Sequence, residues 1–139
     1  MTRKSVALAG TFAAFALTVG LTAEVRTASA AAKDVTISEI MKKGHGAKGL
    51  LKAIGKEVKE GKWDEAKDDA ELLKLFGEGL GKIPPEKGSK ESWKKLTDKY
   101  KEQTADVYKA VEKKDAKKAG DSLGKIGKSC KECHDAHKG

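Results

Sequence analysis

The chain has 139 residues, 36% of them charged and only 5% aromatic, with a formal net charge of +8. That length suits one compact domain, and so few aromatics leave its core short of bulk. Beyond residue 30 the positive charge is all lysine, interleaved with Asp and Glu, and the arginine forks that read phosphates and bases are missing, which argues against nucleic acid.

Residues 1–30 read as a cleaved secretory signal peptide. Arg3 and Lys4 form a basic start, Ser5 to Leu21 is nearly uncharged, and Ala28-Ser29-Ala30 supplies the small residues that signal peptidase accepts. Cleavage after Ala30 or Ala32 is expected. A retained anchor is the alternative, but the apolar core falls short of the ~20 residues that span a bilayer. Glu24 and Arg26 follow at once and no second apolar segment appears, so no stable membrane insertion is expected.

Residues 31–139 then form a single helical domain. Period-2 alternation is missing and Pro84-Pro85 are the only prolines. Helix A opens on a capping box, Thr36 with Glu39, and a hydrophobic staple, Val35 with Ile40. Its apolar face runs Ile37, Ile40, Met41, Gly44, Ala47, Leu51, Ile54 and Val58, fading at Gly61. Helix B starts near Asp64 and Glu65 and carries Ala66, Ala70, Leu73, Phe76 and Leu80. The stretch Ile83 to Gly88 breaks it. Helix C follows Ser89 with Trp93, Leu96, Tyr100, Gln103, Thr104, Val107 and Val111. Helix D starts near Asp115 and carries Ala116, Ala119, Leu123, Ile126, Cys130, Cys133, His134 and His137. Four amphipathic helices with short links predict an all-α, antiparallel up-down-up-down four-helix bundle. Gly44, Gly55, Gly77, Gly120 and Gly127 are expected on inner faces, leaving room for a flat group or for close helix packing.

The chemistry sits near the end of helix D, in Cys130-Lys131-Glu132-Cys133-His134, which uses both cysteines. In an exported protein the C-x-x-C-H pattern is the attachment site of haem c: two thiols three residues apart meet two vinyl groups, and the next histidine turns onto the iron. One haem, bound through Cys130 and Cys133 with His134 as proximal ligand, is the leading reading, and it would fill the thin core. Three others compete. A Cys2His2 zinc site draws ligands from more than one segment, whereas Cys130, Cys133, His134 and His137 fall within about a third of one helix circumference. A thioredoxin-like motif needs a βαβ context. A plain disulfide leaves His134 unexplained.

The sixth iron position has three candidates. In this topology the start of helix A and the end of helix D share one end of the bundle, which sets Met41 opposite His134. His45, about 6 Å further along the axis on the same face, competes, and so does an open site. His137 is expected near a frayed terminus, meeting solvent or a haem propionate. No acid–base pair, nucleophile or phosphate loop accompanies the motif, so an enzyme is not expected.

The four-helix pattern ending in C-x-x-C-H resembles the class II c-type cytochromes, the cytochrome c′ family, over about residues 33–139. The shared stretches are Ile40-Met41-Lys42-Lys43-Gly44, Trp93 with Tyr100, and Ile126 to His134. High-spin members leave the far side of the iron open and bind NO and CO. Low-spin members place a methionine of the first helix on the iron and carry electrons. The Ile-Met-Lys-x-Gly segment resembles the second branch, which implies Met41 as sixth ligand. The resemblance implies a periplasmic monohaem electron carrier serving redox partner proteins, with the gas-binding branch as alternative, and a possible homodimer through helices A and B. Lys42, Lys131 and Lys138 are expected to steer an acidic partner. Two positions depart from the family pattern: His137 stands where an aromatic is common, and Lys138 where an arginine is common.

Overall fold

The computed structural model describes residues 35–138, so the expected signal peptide lies outside the described residues. The first turn, α1 (Ile37–Ile40), runs into a π-helical turn at Met41–His45. There follow α2 (Leu50–Glu60), α3 (Trp63–Leu80), α4 (Lys90–Glu112) and α5 (Ala116–His137). Helix α2 packs on α3, α3 on α4, α4 on α5, and α5 returns to α2, closing a ring of four. With links of two or three residues after α2 and α4, neighbours must run antiparallel. The predicted up-down-up-down bundle is the fold.

The ends are cut where the sequence marks them. Thr36 Oγ1 accepts from Glu39 N–H at 3.2 Å while Thr36 N–H donates to the Glu39 carboxylate at 3.1 Å, a complete capping box. That bond holds the Glu39 carboxyl below its ordinary range. Ser89 accepts from Ser92 N–H at 3.1 Å to start α4, and Asp115 from Lys118 N–H at 2.9 Å to start α5. Helix α2 stops at Gly61, whose φ of 74° is left-handed. Gly61 N–H then bonds Val58 O, and Lys62 N–H bonds Glu57 O.

Helix A is not the continuous helix that its apolar stripe predicts. It widens at Met41–His45 and breaks at Gly46–Gly49 before α2 begins. The break needs glycine twice. A Cβ on Gly46 would run into the carbonyl oxygen of Lys42, and one on Gly49 would lie 2.8 Å from both Gly44 O and Gly46 N. One consequence is that Ala47, expected on the apolar face, is exposed.

The core runs through all four helices: Ile40, Ile54, Leu73, Leu80, Val107, Val111 and Ile126 are almost completely buried. The expected inner glycines divide. Gly44 and Gly77 are buried, but Gly120 and Gly127 are exposed with no atom near them. The buried stripe of α5 passes through Ala119, Ser122 and Ile126, and those glycines lie one residue beyond it. Gly77 packs closely against α4. A Cβ there would overlap Thr104 Oγ1 and sit 3.2 Å from the Lys101 backbone. Thr104 is fully buried and bonded to Lys101 O, so it has little freedom to yield. Gly77→Ala is therefore expected to lose about 1–2 kcal/mol, overpacking of ~1–3 kcal/mol outweighing the ~1 kcal/mol helix-propensity gain. Thermal unfolding followed by circular dichroism checks it.

Candidate functional site

Helix α5 brings Cys130 and Cys133 to the inside of its last turns. Both are free thiols and half-buried, and Cys130 Sγ donates to Ile126 O at 3.3 Å. Burial raises the Cys133 thiol above its usual range, with Cys130 and Glu132 adding to the effect. His134 follows on an exposed part of the helix.

Two spaces meet here. The inner cavity, about 50 Å³, is bounded by Met41, His45, Tyr100, Cys130, Cys133 and His134, with Leu80, Leu96 and Ile126 as apolar wall. The outer cleft, about 320 Å³, is bounded by Ile37, Met41, Trp93, Cys133, His134 and His137. Met41, Cys133 and His134 border both. The first helix thus presents Met41 to the same site as the motif histidine, and every site residue read from the sequence lies here.

The π-helical turn has a direct effect on this site. It carries Met41 and His45 on one turn, and both border the inner cavity. His45 is half-buried: its Nε2 lies 2.9 Å from Tyr100 Oη, and its ring tilts 46° against the phenol. Burial, and then the neighbouring His134, lowers the His45 pKa below its ordinary value. No local pattern signals this pairing, which joins residues 55 apart.

His137 corrects a second expectation. It is buried, not frayed: Nδ1 lies 2.7 Å from Lys87 O and Nε2 3.0 Å from Ser92 Oγ, and its ring meets Trp93 edge-on at 5.1 Å. The 83–88 connection closes on this ring. Trp93 Nε1–H donates to Ile83 O at 2.8 Å. Gly88, at φ 84°, brings the loop so near α5 that a Cβ would sit 2.6 Å from His137 Nδ1. His137 and Trp93 form one wall of the outer cleft and pin the end of the helix that carries Cys133 and His134.

Of the lysines expected to steer a partner, Lys131 is paired with Asp135. Lys42 and Lys138 are exposed and enter no ion pair among the described residues. Lys99, on the inner-cavity wall, bridges to Glu132 at 3.0 Å.

What can this arrangement hold? No group of three His, Cys, Asp or Glu among the described residues is placed to bind a metal ion directly. A haem suits the donors. Two free thiols one helical turn apart face a mainly apolar space, a thioether and an imidazole border it from opposite helices, and His45 Nδ1 is buried without a partner. No helix of the described residues is long and apolar enough to cross a membrane.

The family model described as Cytochrome C′ matches residues 38–138, from α1 through the whole of α5. No curated protein and no solved structure matches the sequence. The cofactor of that family is a covalently bound haem c, which agrees with the donor set of the site. The protein is a haem-binding cytochrome and belongs to the cytochrome c′ family.

Proposed function

We propose that this protein is a periplasmic monohaem electron carrier in which Cys130 and Cys133 bind the haem through two thioethers and His134 and Met41 are the axial ligands. The observation that carries the reading is that Met41, on a turn of its own before α2, borders the same two spaces as His134 on α5. When bound, the haem supplies a one-electron couple between ferrous and ferric iron.

The protein's own residues make that couple usable. His134 and Met41 come from separate helices of one packed bundle, so both can stay in place in either oxidation state. A thioether from Met41 favours the reduced state over harder ligands and raises the potential. Leu80, Leu96 and Ile126 keep water from the inner side. The exposed stretch around His134, with Lys42 and Lys138 nearby in sequence to the two ligands, offers a basic approach for an acidic redox partner protein. The basic leader and the Ala28-Ser29-Ala30 site support export.

The experiment is carbon monoxide added to the reduced holoprotein. An unchanged spectrum is the expected result. Complete conversion to a carbon monoxide adduct would instead favour the high-spin, gas-binding branch, with Met41 as packing.

A further inference from the structure

Met41 is a demanding side chain to use as a ligand. It is unbranched and flexible, and it is only half-buried, so packing alone does not hold its sulfur in one place. The backbone turn that carries it must do so, and on one side that turn has little support. After His45 the chain breaks at Gly46–Gly49, so α2 does not extend the Met41–His45 turn into a longer rigid helix. Ala47 and Lys48, within the break, are exposed.

On the bundle side the turn has two supports. Gly44 is buried, and a Cβ there would lie 3.6 Å from Phe76, 3.8 Å from the Tyr100 hydroxyl and 3.9 Å from Leu73. These are ordinary packing distances with no directional preference. The directional support is His45, whose Nε2 lies 2.9 Å from Tyr100 Oη. Among the described residues it is the one hydrogen bond made by the side chains of residues 41–49. Tyr100 is buried in α4. On the same stretch of α4, Lys99 bridges to Glu132 at 3.0 Å, and Gln103 Oε1 accepts from Ser129 Oγ at 3.1 Å. Ser129 and Glu132 are the residues just before Cys130 and Cys133. Residues 99–103 thus hold the Met41 turn through Tyr100 and the motif helix through its neighbours.

We propose that Tyr100 is a positioning residue for the sixth ligand: its bond to His45 fixes the turn that carries Met41 and favours Met41 on the iron over a competing ligand. This role rests on Met41 being the sixth ligand, as proposed above. Releasing the bond is expected to loosen the hold of Met41 about tenfold, the ratio that corresponds to one net hydrogen bond.

The test is imidazole binding to the oxidised holoprotein, in which imidazole must displace Met41. Tyr100→Phe keeps the ring and removes the hydroxyl. It is expected to tighten imidazole binding about tenfold and to weaken the sulfur-to-iron band. His45→Leu should do the same, and the two changes together should do no more than either alone, because they remove one shared bond. His45→Gln, which can still pair with the hydroxyl, should return binding most of the way to the unmodified value. Asp115→Ala removes the cap of α5 far from the motif. It should lower stability and leave imidazole binding unchanged. Equal imidazole affinity in the unmodified and Tyr100→Phe proteins would overturn the proposal, and so would an equal gain in Asp115→Ala. Amide hydrogen exchange at Gly46, whose N–H bonds Lys42 O at 3.2 Å, reads the tether without reference to the ligand. Exchange about tenfold faster in Tyr100→Phe is expected. If the unmodified oxidised protein lacks the sulfur band, the Met41 ligation reading fails alone. Gly46 exchange then decides the tether, and equal rates in the two proteins overturn it.

Discussion

Replacing Met41 by alanine is expected to change the iron site more than any other single substitution outside the motif. The protein should load haem as before, since the thioethers and His134 are untouched. It should then turn from low-spin to high-spin, bind carbon monoxide when reduced, and shift to a lower potential. The bundle should tolerate the change. Met41 is only half-buried, and its turn is held to the rest by the buried Ile40 and Gly44 and by the His45–Tyr100 hydrogen bond. Optical spectra and a redox titration read all three effects. An unchanged low-spin spectrum would transfer the sixth position to His45, on the same turn, whose Nδ1 has no hydrogen-bond partner.

The second large effect is expected from Cys130→Ser combined with Cys133→Ser. No haem should survive on the denatured polypeptide, whereas each single variant should keep one linkage and stain weakly. The double variant should also lose its fold earlier. The inner cavity and outer cleft lie side by side at Met41, Cys133 and His134 and are mainly apolar. A group bound there stabilises the folded state by mass action, and its loss is expected to lower Tm by about 10 °C or more. Haem staining after denaturing electrophoresis, together with thermal unfolding, measures both. Haem retained by the double variant would remove the thioether assignment.

Much of this is legible in local chemistry. Thr36 with Glu39, Ser89 and Asp115 are side chains that satisfy amides within three residues, so the helix starts are visible without knowledge of the fold. The cysteines and His134 share one helix, so their spacing defines their geometry. Met41 depends on topology, and a short-link bundle leaves little choice of topology. What escapes a reading of the sequence are steric and long-range effects. The apolar stripe of helix A continues across Gly46–Gly49, so periodicity passes over a break that only the backbone crowding of two glycines reveals. Three glycines within six residues are the available signal. His137 looks like a frayed end because its partners, Lys87 and Ser92, are 50 and 45 residues away. Gly120 and Gly127 lie one position off the inner stripe of α5, enough to turn a residue from the core to solvent.

The His137 cluster explains how the end of α5 is held in place. A C-terminal turn normally frays. Here the ring of His137 is held by a carbonyl, a hydroxyl and the edge of Trp93, while Trp93 itself bonds the loop at Ile83. The same contacts that close the outer cleft therefore fix the helix on which Cys133 and His134 sit.

The most direct test of the central claim is the far-red optical spectrum of the oxidised, haem-loaded protein. A low-spin spectrum with the weak sulfur-to-iron charge-transfer band is the expected result, because Met41 and His134 face one site from opposite helices. A high-spin spectrum without that band would contradict the account, leaving Met41 as packing beside an open iron.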